Sequence, residues 1–339
     1  MSTLMRAFVM TGYGGPQVTE FRDMLIPVAG PGEVAVMVRA AGLNPVDYKI
    51  REGQLKPVLR FSMPAIMGNE LAGTVEAVGD GVTEFSVGDR IFVRTPKDRM
   101  GALAEVAVVP AKDCAKIPVS LGFDEAAGMP LAGLTALQAL RDELDLQPGQ
   151  HVFISAGAGG VGTFAIPIAK WLGAKVTTTA SSRGRELVEK LGADRVIDYE
   201  SERFEDVIDE VDAAFDLIGG ETLSRTFGIV KEGGKVVSIA GTPEPETARK
   251  DMDGGFGLSA LFWIASLKLR MQAARHGVDY RFLFMHPDGA GLADLARLIE
   301  DGTIDPVVDK TFPFAETAEA LAYLEEGHAK GKVVVTMDA

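Results

Sequence analysis

The sequence predicts an α/β protein with two domains, a β-rich first domain and a doubly wound parallel sheet. Two observations carry this prediction. Residues 1–122 contain short runs in which apolar and polar residues alternate, and glycine and proline interrupt these runs as in small barrels. From residue 151 onward, apolar runs of strand length alternate with segments of helical spacing, which is typical of parallel βαβ units. A chain of 339 residues is long enough to form two such cores.

Composition and charge narrow the function classes. The 34 basic and 48 acidic residues give a net charge of −14, which argues against binding to nucleic acid or to an anionic membrane. No apolar run reaches the 18 residues that a membrane-spanning helix needs. Cys114 is the single cysteine, so an intrachain disulfide and a multi-cysteine zinc site are excluded. A cytoplasmic location fits this composition best.

In the first domain, the clearest strands are 32–39, 73–78 and 89–93, where valine and isoleucine alternate with polar residues. The pattern changes after Pro118, because Phe123 to Ala139 has the small-residue spacing of a helix. The β-rich part is therefore expected to end near residue 122.

A βαβ unit organises the second domain. The apolar run His151–Ala156 leads through a glycine turn into a helix that ends near Trp171, and a second strand follows at Ala174–Ala180. In the turn, Gly157 permits the tight bend, Gly159 lets the backbone approach a pyrophosphate, and Gly162 lets helix and strand pack closely. With Gly160 and Val161 these glycines complete a Rossmann fingerprint, which predicts dinucleotide binding at a helix N-terminus.

The residues after the second strand indicate which dinucleotide binds. An NAD site has an acidic residue there for the ribose 2′-hydroxyl, but this chain has Ser181, Ser182, Arg183 and Arg185. Hydroxyl and guanidinium groups suit a 2′-phosphate, which a carboxylate would repel. NADPH is therefore the expected cofactor. The alternative is that the two arginines only occupy the exposed first turn of the next helix.

The rest of the chain continues the α/β alternation. The expected elements are helix Glu186–Leu191, strands Arg195–Asp198 and Ala213–Leu217, helix Leu223–Val230, strand Lys235–Ala240, a loop over 242–257, helix Leu258–Arg275, strand Tyr280–Met285, helix Gly291–Glu300, helix Phe314–Leu324 and strand Lys332–Thr336. The last strand is expected to return to the first domain. The predicted domains are thus 1–122 with 305–339, and 123–304.

Several motifs then occur in a recognisable order. They are Gly68-Asn-Glu-Leu-Ala-Gly-Thr-Val75, Val87-Gly-Asp-Arg90, Ala127-Gly-Met-Pro-Leu-Ala-Gly-Leu-Thr-Ala136 and Ala156-Gly-Ala-Gly-Gly-Val-Gly162. With them the chain resembles, from end to end, the zinc-independent quinone oxidoreductase (zeta-crystallin-like) branch of the medium-chain dehydrogenase/reductase superfamily. The resemblance implies a GroES-like catalytic domain interrupted by a Rossmann NADP-binding domain, an active site in the cleft between them, and a homodimer joined through the Rossmann sheets.

The resemblance also bears on metal binding. The places of the three catalytic zinc ligands in related alcohol dehydrogenases fall at Asn44, Asn69 and Leu131, and these side chains cannot replace thiolate and imidazole. Another metal held by Glu70, Asp47 and a histidine is the alternative, but the four histidines show no ligand spacing. No metal is expected. Without a Lewis acid, the implied reaction is hydride transfer from NADPH to a quinone or an α,β-unsaturated carbonyl.

Four residues are candidates for catalysis. Asn44 could donate to a substrate oxygen, or Asn44-Pro45 could only form a turn. Asp47 and Tyr48 could orient substrate and cofactor, although Asp47 could instead cap a helix. Thr135 lies in a motif that the family places beside the nicotinamide, and helix packing is its alternative role. Related thioester reductases have a proton-donating tyrosine where this chain has Leu55, which leaves solvent or Tyr48 as the proton source.

The expected cofactor-binding residues combine the fingerprint with positions that the resemblance implies. They are Asn44, Thr135, Gly157, Gly159, Gly160, Val161, Gly162, Ser181, Ser182, Arg183, Arg185, Tyr199, Ile218, Gly241, Phe284 and Lys332. Two other functions stay open, a 2-enoyl thioester reductase and a non-catalytic NADPH-binding protein like a crystallin. The expected partners are a small quinone or enone substrate and a second copy of the chain, with neither nucleic acid nor membrane.

Overall fold

A computed structural model describes residues 4–252 and 254–337, and the chain divides into two compact units. The first consists of the described residues up to Leu134 together with those from Pro287 onward, and the second is Thr135–His286. The second unit is therefore inserted into the first along the chain, as the resemblance implies.

The described residues form strands and helices in the following order. The strands are β1 (Leu4–Met10), β2 (Thr19–Leu25), β3 (Glu33–Leu43), β4 (Ala65–Ile66), β5 (Glu70–Val78), β6 (Arg90–Arg94), β7 (Val106–Pro110), β8 (Cys114–Lys116), β9 (His151–Ile154), β10 (Lys175–Ala180), β11 (Arg195–Asp198), β12 (Val211–Asp216), β13 (Val230–Ser238), β14 (Asp279–Phe282), β15 (Val308–Pro313) and β16 (Lys332–Thr336). The α-helices are α1 (Pro45–Arg51), α2 (Phe123–Ala127), α3 (Pro130–Leu137), α4 (Gly162–Trp171), α5 (Arg185–Lys190), α6 (Phe204–Val207), α7 (Gly220–Thr226), α8 (Phe256–Ala265), α9 (Leu267–Arg275), α10 (Gly289–Glu300) and α11 (Thr317–Glu325). Two π-helical segments, Gln138–Glu143 and Thr247–Asp251, complete the elements that matter below.

The first unit contains two sheets, and both are largely antiparallel. β1 pairs with β2 on one side and with β4 on the other, and a larger sheet has the order β15-β16-β3-β5-β6-β8, with β7 also paired to β3. Alternation along β3 and β5 turns apolar side chains inward, where Val36, Leu71 and Val333 join a shared core. The last strand, β16, lies between β15 and β3, so the prediction that residues 332–336 return to the first domain is confirmed.

The second unit contains a six-stranded sheet with the order β11-β10-β9-β12-β13-β14, and every pair in it is parallel. This order reverses direction between β9 and β12, as in a Rossmann fold. The central strands β9 and β12 are largely buried on both faces, with Phe153 and Ala214 fully buried. The predicted doubly wound sheet is confirmed.

The compact units do not end at the predicted domain boundaries. α2 packs against β3 and β5, and α10 packs against β8, so both helices belong with the first unit. The contact at α10 is close, because a Cβ on Gly289 would lie 2.3 Å from the carbonyl oxygen of Lys112. Residues 123–134 and 287–304, which the sequence assigned to the second domain, therefore pack with the first unit.

Some predicted elements are shorter than expected. The helix expected over 258–275 is interrupted at Ser266, whose hydroxyl donates to the carbonyl of Phe262 at 2.7 Å. The strand expected to reach Met285 ends at Phe282. No helix among the residues that the structure describes is long and apolar enough to cross a membrane.

Candidate functional site

A buried polar cluster lies in the first unit where β3 ends and α1 begins. Its members are Asn44, Asp47, Asn69, Glu70, Arg94 and Lys332, none of them more than 5% exposed. Strand pairing brings them together, because Gly42 of β3 is opposite Glu70, Glu70 is opposite Arg94, and Leu43 is opposite Val333. Polar side chains this deeply buried need partners, so their hydrogen bonds show how the cluster is built.

Glu70 is the acceptor at the centre of the cluster. Its Oε1 accepts from Asn44 Nδ2 at 2.7 Å and from Lys332 Nζ at 2.8 Å, while its Oε2 accepts from the backbone N–H of Leu131 at 2.6 Å. Gly42 leaves room for this carboxylate, since a Cβ there would lie 2.4 Å from Glu70 Oε1. Three donors thus stabilise one buried negative charge.

The ammonium of Lys332 completes the centre. It donates to Glu70, to the carbonyl of Leu43 at 3.1 Å and to Asn44 Oδ1. An ammonium has three N–H groups, so these three bonds use all of them. In this structure Lys332 therefore fixes the orientation of the Asn44 amide, and its expected contact with the cofactor stays a prediction.

Asp47 lies in the first turn of α1 and is fully buried. Its Oδ2 accepts from the backbone N–H of Asn44 and its Oδ1 from Asn69 Nδ2, both at 2.7 Å. Burial raises the pKa of the Asp47 carboxyl to about 6, although the two hydrogen bonds lower it, and nearby Glu70 raises it further. The carboxylate thus caps α1 and also accepts from Asn69, and its expected role in orienting substrate and cofactor stays a prediction.

Two atoms of the cluster have no hydrogen-bond partner among the described residues. They are Asn69 Oδ1 and Arg94 Nε, and both are buried. Burial lowers the pKa of Arg94 to about 10 despite the nearby charges of Asp47 and Glu70. Asn69 Oδ1 can accept a hydrogen bond and Arg94 Nε can donate one, so a small polar ligand or a water molecule would bind at these two atoms.

The donor set of the cluster does not fit a catalytic zinc ion. Zinc in such sites takes thiolate, imidazole and carboxylate ligands. Asn44, Asn69 and Leu131 supply none of these, and Lys332 places a positive charge against Glu70. Over residues 4–252 and 254–337, no group of three or more histidine, cysteine and acidic side chains could hold a metal ion.

In the second unit, the predicted cofactor residues other than Thr135 lie after the carboxyl ends of all six strands of the sheet. Residues 157–162 follow β9, residues 181–185 follow β10, and Tyr199, Ile218, Gly241 and Phe284 follow β11, β12, β13 and β14. Parallel strands bring these ends to the same edge, which is where ligands of open α/β sheets bind. The structure therefore groups residues that are spread over more than a hundred positions in the sequence.

The glycine turn has the shape of a phosphate cradle. A Cβ on Gly157 would lie 2.2 Å from Thr178 Oγ1, and one on Gly162 would lie 2.5 Å from the carbonyl oxygens of Ala156 and Gly157. A Cβ on Gly159 would meet only the carbonyl of Ala156 at 3.3 Å, so backbone is open there for a ligand to approach. Ala156, just before the turn, has a left-handed backbone with φ of 52°. The cradle fits a dinucleotide pyrophosphate.

Asp216 stabilises the loops at the carboxyl ends of the strands. It is fully buried at the end of β12, accepts from Ser238 Oγ at 2.7 Å and from the backbone N–H of Gly219 at 2.9 Å, and burial raises its pKa. Ser155 donates to it at 3.5 Å and accepts from the N–H of Leu217 at 2.8 Å. These bonds tie the loops after β9, β12 and β13 together.

The residues expected at the 2′-phosphate lie where β10 gives way to α5. Ser182 and Arg183 are exposed, Ser181 and Arg185 are half-buried, and Arg185 Nη1 lies 3.5 Å from Glu189 on α5. Tyr199 and Ile218 are also exposed, at 59% and 49%. Exposed groups at the end of β10 are accessible to a ligand, which the expected role requires.

The other candidates lie in buried or half-buried places. Gly241 leaves room for the Tyr280 side chain, because a Cβ at position 241 would lie 2.4 Å from the hydroxyl of Tyr280. The N–H of Phe284 donates to Asp251 at 3.0 Å. Tyr48 lies on α1, where partial burial raises its pKa, and Thr135 is 3% exposed on α3. Their catalytic and cofactor roles stay predictions.

Comparison with known proteins gives the family. Residues 30–119 match the alcohol dehydrogenase GroES-like domain and residues 191–335 match the zinc-binding dehydrogenase family. The chain is 35% identical to the mitochondrial NAD(P)H oxidoreductase RTN4IP1 of Danio rerio, with 99% of this chain and 92% of that protein covered. It is also 35% identical to the chloroplastic NADPH-dependent alkenal/one oxidoreductase of Arabidopsis thaliana, with 98% and 79% covered. The structure of the quinone oxidoreductase from Coxiella burnetii superposes with a TM-score of 0.85 at 29% identity, with 99% and 100% covered.

The chain belongs to the medium-chain dehydrogenase/reductase superfamily. Its relatives include quinone and alkenal oxidoreductases, so the predicted branch of the superfamily is confirmed as well. Both predicted domain folds, the GroES-like and the Rossmann, are those of this superfamily.

Sequence reasoning missed several residues that build these sites. Glu70 was considered only as an alternative metal ligand, and Arg94 and Asp216 were not singled out. One signal was available for Asp216, which is a charged residue within an apolar strand run, Phe215-Asp216-Leu217. A charge in such a place is buried and paired more often than it is exposed by chance.

Proposed function

We propose that this chain is an NADPH-dependent reductase whose acceptor is a quinone or an α,β-unsaturated carbonyl compound. The observation that carries the proposal is the buried cluster around Glu70. Two amides, Asn44 and Asn69, stand at positions where the resemblance implies zinc ligands in alcohol dehydrogenases, and the ammonium of Lys332 donates to Glu70. A site with this donor set has no Lewis acid to ionise an alcohol. It suits acceptors that already stabilise negative charge, and related proteins carry the names of reductases for such acceptors.

The cofactor assignment rests on the edge of the second sheet. Residues 157–162 would hold the pyrophosphate, and Ser181, Ser182, Arg183 and Arg185 would hold a 2′-phosphate. When bound, NADPH supplies the hydride. The alkenal/one oxidoreductase of Arabidopsis thaliana is named as NADPH-dependent, which supports the same choice here.

The cluster around Glu70 would orient a polar group rather than form a covalent bond. The Asn44 side chain is held at both ends, because its Oδ1 accepts from Lys332 and its Nδ2 donates to Glu70. An amide nitrogen carries two hydrogens, so the second would be available to a substrate oxygen or a ribose hydroxyl. A preorganised donor of this kind stabilises charge that develops on oxygen, while solvent or Tyr48 supplies the proton.

Steady-state oxidation of NADPH with four acceptors tests the function. We expect turnover with 9,10-phenanthrenequinone, 1,4-benzoquinone or 1-octen-3-one, and little with crotonyl-CoA. Turnover with crotonyl-CoA alone would instead indicate a 2-enoyl thioester reductase. A protein that binds NADPH but turns over none of the four would be a binding protein, and the proposal would be wrong.

Replacing Arg183 or Arg185 by alanine tests the cofactor choice. Loss of one charge-assisted hydrogen bond costs roughly 1.5 to 3 kcal/mol, so we expect the KM for NADPH to rise about tenfold to a hundredfold. The kcat should change little, because the 2′-phosphate is remote from the reacting carbon and is bound equally in ground and transition states. Lys190→Ala is the matched control on α5, with an unchanged KM expected. Equal kcat/KM for NADH and NADPH in the unmodified protein would contradict the assignment.

A further inference from the structure

The helices α8 and α9 of the second unit present apolar residues on two opposite sides. Phe262, Ser266 and Ala273 are buried at helical spacing. The large apolar residues that remain exposed are Phe256, Leu261, Trp263, Ile264, Leu267 and Met271, which are 38% to 91% accessible. Five of these six, at positions 256, 263, 264, 267 and 271, follow the spacing of a single helical stripe. We call this stripe the outer face of α8 and α9.

An apolar stripe on the outside of a helix is unusual for a protein surface. Scattered exposed apolar residues are normal, but a contiguous group of this size marks an interaction site. The buried side of the same helices already supplies their packing, since α9 contacts β14 and α7. The outer face is therefore not required for the core of this unit.

The charge of this segment differs from that of the chain. From Gly254 to Val278 there is no aspartate or glutamate, while Lys268, Arg270 and Arg275 are all basic. The chain as a whole has 48 acidic residues and a net charge of −14. Lys268 and Arg275 are exposed beside the apolar stripe. Positive charge is thus concentrated where apolar residues are exposed.

We propose that the outer face of α8 and α9 docks onto the surface of an anionic lipid bilayer. A helix that lies in the membrane interface combines an apolar face with lysine and arginine on its flanks. Trp263 near the middle of the stripe fits this setting, because tryptophan is enriched at the boundary between headgroups and acyl chains. The anionic headgroups attract the basic flank at short range. The net negative charge of the chain alone predicts repulsion from an anionic membrane. Salt screens charges that lie more than a Debye length from the membrane, so the positive charge close to the outer face determines whether the chain is attracted.

The charge pattern favours a bilayer over a second copy of this chain. In a two-fold dimer built on this face, two patches of the same positive sign meet, and residues 254–278 of the second copy offer no acidic side chain to pair with Lys268 or Arg275. Such like-charge contacts are unfavourable, whereas an anionic lipid surface neutralises both residues. α8 and α9 have ten and nine residues, so they would lie in the plane of the surface.

Vesicle binding of the full chain tests the proposal without any turnover. The chain has two tryptophans, and Trp171→Phe leaves Trp263 as the only one. With vesicles of phosphatidylcholine containing phosphatidylserine, we expect this variant to sediment with the vesicles and its tryptophan emission to shift to the blue. Pure phosphatidylcholine should bind it more weakly, and added salt should weaken binding to the anionic vesicles.

Matched variants separate the outer face from the rest of the surface. Ile264→Ser with Leu267→Ser should lower the vesicle partition coefficient about tenfold or more. Val28→Ser with Val119→Ser removes two residues that are 88% and 91% exposed elsewhere, and binding should not change. Lys268→Glu with Arg275→Glu should abolish the preference for anionic vesicles, while Lys190→Glu should leave it intact.

Three results would overturn the proposal. The first is no sedimentation with anionic vesicles at low salt. The second is equal binding by the outer-face variants and their controls. The third is a fall in oligomeric mass, without lipid, when Ile264 and Leu267 are replaced, which would show that the face joins two copies. Because none of these measurements uses NADPH or an acceptor, they succeed or fail independently of the reductase function.

Discussion

Asp47 shows how burial changes the chemistry of one residue. Its folded pKa of about 6 lies above the ordinary value of 3.8, so between these values the folded state binds more protons than the unfolded state. The contribution of this carboxyl to stability is therefore greatest at low pH and declines as pH rises to about 6. Above that value, the cost of the buried charge is constant.

Asp47→Asn tests this ionisation. The quantity to compare is the free energy of unfolding of the native protein minus that of the variant. We expect this difference to be about 1 to 2 kcal/mol smaller at about pH 7.5 than at about pH 5. Urea titrations at the two pH values measure the difference. Val28→Ser, at an 88% exposed position of the same unit, is the control and should show no such trend, because it removes no ionisable group. A difference that grows with pH would mean that the hydrogen bonds of Asp47 outweigh its burial.

The zinc-ligand positions give a second prediction at this scale. Because Asn44 and Asn69 offer amides and Leu131 offers an alkyl group, the purified protein should contain no stoichiometric zinc. Chelators should leave NADPH oxidation unchanged. Elemental analysis of the purified protein measures the zinc, and NADPH oxidation before and after dialysis against a chelator measures the activity. One tightly bound zinc ion per chain, needed for turnover, would contradict the interpretation of this cluster.

At the scale of elements, Arg281 joins three segments of the second unit. On β14, it pairs with Glu143 of the first π-helical segment at 3.2 Å, with Glu244 at 3.0 Å, and with Asp251 of the second π-helical segment at 2.6 Å. All four side chains are buried or nearly so. Asp251 also accepts from the N–H of Phe284, so this ion cluster positions one of the predicted cofactor residues.

Arg281→Met should therefore destabilise the fold strongly. Removing the cation leaves buried carboxylates without their partner, and such changes cost about 3 to 5 kcal/mol. Arg281→Lys should restore little, because one ammonium cannot match the fork of a guanidinium. Urea unfolding monitored by circular dichroism gives the values. Arg22→Ala, which breaks an exposed pair with Glu20, is the control. A loss below about 1 kcal/mol for Arg281→Met would show that the cluster contributes little.

The sequence predicted strands and the glycine turn better than helix ends and charge pairs. Periodicity identified β10, β11 and β16 because alternating or continuous apolar runs have a direct physical meaning in a sheet. It could not show that α10 packs on β8, because the sequence pattern of an amphipathic helix does not indicate which of two domains its apolar face contacts. Nor could it show that Glu143, Glu244 and Asp251 meet Arg281, because those contacts span up to 138 positions. The pairing of Lys332 with Glu70 depends in the same way on strand order.

At the scale of the whole molecule, the edge of the second sheet predicts an assembly. β14 is the last strand in the sheet order, and an uncovered edge strand exposes a row of N–H and C=O groups. Pairing β14 with its symmetry mate would remove that row, so we predict a homodimer. Sedimentation equilibrium at micromolar concentration should give twice 36.0 kDa. A monomer of 36.0 kDa under these conditions would refute the prediction.

The position of β16 also sets an order of events during synthesis on the ribosome. The second unit is one continuous segment, so it can fold as soon as residue 286 has left the exit tunnel. The larger sheet of the first unit lacks the strand between β3 and β15 until residues 332–336 emerge. At about 5 to 20 residues per second, the nascent chain carries that open sheet for several seconds after the inserted unit is complete. The unit whose first strands emerge earliest is thus the last to close, and Lys332 can reach Glu70 only after β16 has emerged.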